Sequence, residues 1–400
     1  MVKKINIREF IGLMALLMAL PALAIDAILP ALSLMKDHFH VASDNQIQFV
    51  IGSLFLGLTV GQLFFGPIAD SFGRKNGISG GLFIFILGTL LCLFSFNFPM
   101  MLAGRFLQGF GASATRVICV AIARDLYKGR DMARIMSFIM AVFIFVPTIA
   151  PALGQTILMV SQWRWIFVLY LIVAVVTLFW MLKRLPETLK SVDRRPFSPR
   201  IIFTDFLVVM RNRTTLGYAI AAGFIFASFT GYLVSAQQIF QNFYNTGEMF
   251  SVYFGLSALS IGVGSWGNGM LVKRFGMNLI CMWALCFSIL VSLVFFVCFS
   301  LTDPSVSFVP YMIYTATIFF CQGFLFGNLN ALAIEPMGKH AGVASAIIGS
   351  LSSAIAVVGG TVIGQLYNHT LIPLVLGFLC FSILTLCLHI WLGRNIQAVK

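Results

Sequence analysis

Apolar runs long enough to cross a lipid bilayer recur from one end of the sequence to the other, near residues 10–32, 46–68, 77–96, 100–123, 134–160, 164–183, 216–242, 250–272, 277–301, 306–331, 341–366 and 370–393. In a helix rising about 1.5 Å per residue, roughly 20 residues match a hydrocarbon core about 30 Å thick. Inside lipid the backbone has no water to satisfy its polar groups, so such runs commit the chain to an all-α polytopic membrane fold with twelve transmembrane helices. Composition agrees, since only 10% of the residues are charged, against about 25% in a soluble domain.

The charge distribution decides what the net charge of +13 means. With the N-terminus in the cytoplasm, basic residues gather on inner segments: Lys3, Lys4 and Arg8; Arg74 and Lys75; Arg124, Lys128, Arg130 and Arg134; a cluster between Lys183 and Arg213; Lys273 and Arg274; Lys339; Arg394 and Lys400. Only Lys36 and Arg164 fall on outer segments, and Arg105 and Arg116 lie within runs. This is the positive-inside asymmetry of a multi-pass membrane protein, which places both termini in the cytoplasm. It leaves no basic patch for nucleic acid. The first run is too long, and lacks the small-residue site, for a cleaved signal peptide, so it is expected to remain in the mature protein. All eight cysteines fall within runs without paired metal-ligand spacing, and neither a metal nor a cofactor is expected.

Loops are short apart from the stretch Pro186–Thr215, which holds "PETLKSVDRRPFSPR" and then the amphipathic "IIFTDFLVVMRNR". The expected organisation is a six-helix bundle at 1–185, a cytoplasmic linker with a short amphipathic helix at 186–215, and a second six-helix bundle at 216–400. An internal repeat supports two halves: "ADSFGRKN" after the second run resembles "LVKRFGMN" after the eighth. Such repeats belong to transporter architectures, with the substrate site near the midplane between the halves. Neither a phosphate-binding loop nor a nucleophile-base pair is recognisable, so the chain is not expected to be an enzyme and its energy must come from an ion gradient.

Asp26 is the polar residue most in need of an explanation, because it sits inside "IGLMALLMALPALAIDAILPALS". Ionisable groups inside a bilayer usually mark function. Arg105 lies at a matching depth in the antiparallel fourth run, and the two are expected to pair as the proton-coupling site, burial and the arginine favouring opposite protonation states of the carboxyl. Arg116 follows Arg105 by eleven residues, about 20° round an ideal helix and roughly 16 Å along it. It either lines the cavity, balancing charge or receiving an anionic or electron-rich substrate group, or it snorkels to the inner surface.

Three motifs carry a family resemblance. "GPIADSFGRKNGI", after the second run, is similar to the signature of the major facilitator superfamily, in which Gly66, Asp70, Gly73 and Arg74, with Asp125, form a cytoplasmic gate. The expected geometry is a tight glycine-bounded turn, with Asp70 facing the N-terminus of another helix near "HAGVASA" and Arg74 bridging to Asp125. "GRFLQGFGASATRV" resembles the fourth-helix motif of proton-coupled members. "VPTIAPALGQ" resembles the fifth-helix antiporter motif, with Pro147, Pro151 and Gly154 bending the helix and allowing a close helix contact, although Ala150 and Gln155 stand where that pattern prefers glycine.

Together with "AIDAILPAL", "QWRWIF", "LPETL", "GYLVSAQQIFQNFY" and "GNLNALAIEPMGKHAGVASAIIG", these motifs resemble the bicyclomycin and chloramphenicol resistance subgroup of twelve-span drug:proton antiporters. The resemblance implies two pseudo-symmetric six-helix bundles and alternating access, exporting small amphipathic drugs or toxic compounds in exchange for protons across a bacterial inner membrane. A dedicated exporter of one endogenous metabolite, such as a siderophore or an amino-acid derivative, fits the same features. Candidate cavity residues are Gln108 and Arg116 and, on the seventh, eighth and tenth helices, Tyr232, Gln237, Gln238, Gln241, Tyr253, Gln322 and Asn328, these seven each with a helix-packing hydrogen bond as the alternative role. The expected partners are a small-molecule substrate, protons and the lipid bilayer, and the protein is expected to act as a monomer.

Overall fold

The computed structural model describes residues 6–127, 129–194, 198–301 and 307–398, and its regular structure there is entirely helical. α1 (Ile7–Asp26) starts behind an Asn6 cap. It stops because Pro30, lacking an N–H, cannot donate to the Asp26 carbonyl. One 3₁₀ turn, Leu29–Ala31, then leads into α2 (Leu32–His38), so the first crossing is a broken helix.

α3 (Phe49–Phe72) and α4 (Arg74–Leu93) are separated by Gly73 alone, whose φ of 101° favours glycine. α5 (Phe98–Leu126) is capped by Asn97, which accepts from Met100 N at 2.9 Å. α6 (Gly129–Val160) carries Pro147 and Pro151, and α7 (Arg164–Arg184) and α8 (Pro199–Arg211) follow. α9 (Arg213–Gln237) continues into a π-helical turn, Gln238–Phe243. The remaining helices are α10 (Phe250–Phe275), α11 (Met277–Leu301), α12 (Phe308–Ile334), α13 (Ala341–Gln365) and α14 (Ile372–Ala398). Among the described residues 11 helical segments are long and apolar enough to cross a membrane, and α6 adds a shorter apolar stretch, Phe145–Val160. The side chains at 136–144, within the run expected at 134–160, lie outside the described residues.

The helices form two compact units. The first extends to Ser43 and resumes from Phe49 to Asp205; the second takes Asp44–Gln48 and everything from Phe206 onward. The boundary falls inside α8, within the stretch 186–215, and Val209 of α8 is buried in the second unit's core with Tyr218, Ile225 and Leu329.

In the first unit α5 is central, packed between α3 and α4 and touching α1. Glycines set these distances. A Cβ on Gly109 of α5 would stand 2.8 Å from the Leu54 carbonyl carbon in α3, and one on Gly88 of α4 would stand 2.8 Å from the Gly104 carbonyl oxygen in α5. Close approach of this kind is how helices associate in lipid, where no hydrophobic driving force separates helix from tail. The second unit packs α9 along α13 and α10 along α12, the latter through Gly264 and Gly323.

Candidate functional site

Asp26 is the last residue of α1 and is only 3% exposed. A helix end leaves its final carbonyls without intrahelical donors. The fully buried Arg105 supplies one, its Nη2 donating to Ala24 O at 2.9 Å, while its Nε donates to Val50 O of α3 at 3.1 Å and its Nη1 to Gln108 Oε1 at 2.6 Å. Gln108 Nε2 in turn donates to Thr89 Oγ1 of α4 at 2.9 Å. One guanidinium thereby ties α1, α3 and α5 together, with α4 joined through Gln108.

The ion pair expected between Asp26 and Arg105 is absent among the described residues. The break in α1 is the reason: it exposes a carbonyl two residues before Asp26, and the planar fork takes backbone oxygens on two helices. Gln108, expected in the substrate cavity, is likewise fully buried in this network. Two features of the site were not read from the sequence. The Tyr170 ring of α7 lies within range of both charges, its hydroxyl buried without a hydrogen-bond partner among the described residues. Gly154 of α6 presses on the break itself, since a Cβ there would meet the Ala27 carbonyl carbon at 2.9 Å and Pro30 Cγ at 3.2 Å.

Arg116 differs from Arg74 and Arg105, the buried arginines of α4 and α5. It is exposed, and no hydrogen bond or ion pair joins it to another described residue. Its neighbours Ser113 and Thr115 turn their hydroxyls back to the carbonyls of Phe110 and Ala112.

At the end of α3 the glycine-bounded turn is shorter than expected. Gly66 lies inside α3, which runs to Phe72, and only Gly73 turns the chain. Arg74 Nε donates to Asp125 Oδ2 of α5 at 3.0 Å and its Nη1 pairs with Asp70. Asp70 is therefore engaged by Arg74, and the side chains at 340–343, in the segment expected to face it, lie outside the described residues. Glu187, in the "LPETL" segment, caps α4 by accepting from Arg74 N at 2.9 Å and Lys75 N at 3.2 Å.

Most cavity candidates of the second unit are engaged in packing contacts and hydrogen bonds in this structure. Tyr232, Gln237, Gln322 and Asn328 are buried. Tyr232 sits among Phe319, Phe254 and Phe240; Gln322 Nε2 donates to Ser228 Oγ at 3.1 Å; Asn328 and Asn268 exchange amide bonds of 2.8 and 3.2 Å. Gln237 Nε2 donates to the half-buried Gln241 at 3.0 Å, and the half-buried Tyr253 lies on Phe308. Gln238 serves the segment Asp44–Gln48: its Nε2 donates to Asn45 Oδ1 at 3.1 Å, its Oε1 accepts from Gln48, and Asn45 Nδ2 donates to the carbonyls of Gln365 and Tyr367 at 3.0 Å. Several of these amides bond one another, while Gln322 Oε1 and Gln48 Oε1 are buried without a hydrogen-bond partner among the described residues.

Comparison with known proteins places this geometry in context. The profile described as Major Facilitator Superfamily matches residues 14–361. An uncharacterized MFS-type transporter of Bacillus subtilis (strain 168), YdgK, is 30% identical over 371 residues, covering 90% of each chain. A bicyclomycin resistance protein homolog of Haemophilus influenzae is 28% identical and covers 97% of each. Among solved structures, the partially occluded inward open conformation of the xylose transporter XylE from E. coli matches with a TM-score of 0.73 at 12% identity, over 97% of each chain.

Proposed function

The chain belongs to the major facilitator superfamily, and from that premise we propose that it exports small amphipathic drugs or toxic compounds in exchange for protons. The observation that carries the reading is the buried Asp26 carboxyl at the break in α1, beside an arginine whose donors are committed to backbone and amide oxygens. A carboxyl without a direct ion pair in such a place can accept and release a proton without first breaking one. Arg105 acts as a positioning residue: it holds the Ala24 carbonyl, and so the register of the break, while Gly154 of the antiporter-like segment keeps α6 against Ala27. In the cycle Asp26 takes a proton from the outer side and releases it to the cytoplasm, and substrate is loaded from the cytoplasm by alternating access. The basic inner segments support an inner-membrane protein with both termini cytoplasmic. A relative named as a bicyclomycin resistance protein homolog, and others named as multidrug resistance proteins, support a drug substrate.

The test is proton release from the purified protein in detergent on addition of a panel of neutral and charged drugs, native chain against Asp26→Asn. Release that disappears in the variant, together with loss of gradient-driven efflux from intact cells, is the expected result. Gradient-driven efflux retained by Asp26→Asn overturns the assignment.

A further inference from the structure

The burial pattern of α5 changes along its length. In the outer half, Ala103 and Leu107 are exposed and form the lipid-facing stripe of α5, whereas Arg105, Gly109 and Ala112 face the protein and are buried. At about 100° per residue, Arg116 points about 20° from Arg105 and about 180° from Leu107. It is nevertheless exposed. The side of α5 that is sealed at the level of Arg105 is therefore open at Arg116, and what it opens onto is not the lipid stripe. A guanidinium pointing into hydrocarbon is expensive, so an exposed one on the protein-facing side marks a polar recess.

Four other guanidiniums of the first unit have acceptors of their own, whereas Arg124, exposed in the last turn of α5, has none among the described residues. Arg105 has two carbonyls and Gln108, Arg74 has Asp70 and Asp125, Arg184 has Glu9, and Arg164 has the carbonyls of Leu93 and Ser95. These contacts also occupy Asp70, Asp125 and Glu9, and Glu187 serves the α4 cap. We infer that Arg116 is a substrate-binding residue that receives the acidic group of amphipathic anions, so that the transported class includes compounds with a single carboxylate on an apolar body. The inference rests on the transport reading above and names its substrate class. The chemistry is that of a planar fork meeting a planar carboxylate through two parallel N–H bonds, which a lysine reproduces only as a point charge. Arg116 lies roughly 16 Å along α5 from Arg105, so the anion and the proton occupy different levels of one helix.

The experiment uses purified full-length protein and three dansyl compounds that share one apolar body and end in a carboxylate, a neutral amide or an amine. Binding is read by dansyl fluorescence, and uptake into everted vesicles is read with and without a proton gradient. The native chain is expected to prefer the carboxylate to the amide. Arg116→Gln should weaken carboxylate binding roughly 10- to 100-fold, the loss of a charge-assisted contact, and change amide binding less than about threefold. Arg116→Lys should recover part of the preference. Unchanged amide binding reports that the variant is folded. A native protein that does not distinguish carboxylate from amide, or a glutamine variant that loses both or neither, overturns the inference. Gradient-driven uptake without carboxylate preference leaves the proton-coupled reading standing and removes this one; carboxylate preference dependent on Arg116, with uptake indifferent to the gradient, does the reverse.

Discussion

Gly57 in α3 lies at the contact on which Arg105 depends, and Gly57→Ala puts a number on that dependence. The added Cβ would stand 2.7 Å from Phe110 N and 3.0 Å from the Phe106 carbonyl carbon in α5, against the Phe106 oxygen. Relaxing 2.7 Å to an ordinary contact of 3.4 Å moves α3 away from α5 by at least about 0.7 Å, and clearing the nearer Phe106 oxygen takes more, since a close-packed interface offers no slack. The Arg105 Nε to Val50 O bond spans the same two helices at 3.1 Å, and the same displacement stretches it to about 3.8 Å, beyond hydrogen-bond range. Overpacking costs about 1–3 kcal/mol, and the lost charge-assisted bond about 1.5–3 kcal/mol. Replacing a helical glycine by alanine returns at most about 1 kcal/mol. The net destabilisation is about 1.5–5 kcal/mol, a fall in melting temperature of at least about 3 °C for a unit of this size. A thiol-reactive fluorophore measures it once the exposed Cys286, Cys298, Cys380 and Cys387 have been alkylated, because Cys92 and Cys119 are free, buried and in the same unit. Gly80 is the control: it has nothing within 4 Å of an added Cβ, so Gly80→Ala should melt at or slightly above the native temperature. Gly57→Ala melting together with Gly80→Ala would refute the claim that this contact sets the position of Arg105.

Arg105→Lys keeps the charge but cannot reach Ala24 O, Val50 O and Gln108 from one fork. It should insert normally and lose gradient-driven transport roughly tenfold or more, the effect of one missing charge-assisted bond; native transport rates in the lysine variant would show that charge alone suffices. Glu187→Ala removes the cap of α4, and hydrogen exchange at the amides of Arg74 and Lys75 should speed up roughly fivefold, the usual effect of a lost N-cap. Unchanged exchange at both amides would mean that Gly73 and the Arg74 ion pairs hold this end without it.

The membrane fold was legible because lipid admits few solutions: a chain with repeated apolar runs must satisfy its backbone internally, and helices do so within one segment. The candidate site was legible by residue type and less so by partner. Depth matching placed Arg105 near the end of α1, where it is found, but depth cannot distinguish a carboxylate from the carbonyl two residues earlier. The signal that would have done so was Pro30, four residues after Asp26, which ends the helix and frees those carbonyls. Amides such as Asn328 and Gln322 look alike in sequence whether they face a cavity or a neighbouring helix, because the apolar residues around them carry little periodicity when both faces are greasy. Glu187 was hidden for another reason: it caps a helix more than a hundred residues away, and no local pattern reports that.

The break in α1 makes the chemistry at Asp26 inseparable from helix packing. Arg105 holds Ala24 O on one side of the break, and Gly154 of α6 bears on Ala27 on the other, so the single turn of backbone around the carboxyl is held by neighbours as well as by the Ala27 N–H to Leu23 O bond that closes α1. A continuous helix would resist a change at residue 26 along its whole length, whereas a broken one can shift its outer piece, α2, while α1 stays capped. In the proposed cycle, gain or loss of a proton at Asp26 therefore acts on the part of the first crossing with the weakest intrahelical support. Alanine at Pro30 would restore the donor to the Asp26 carbonyl and compete with Arg105 for control of that end. The sequence places its proline and its buried carboxylate four residues apart, the one spacing at which the ring deprives that residue's own carbonyl of a helical donor.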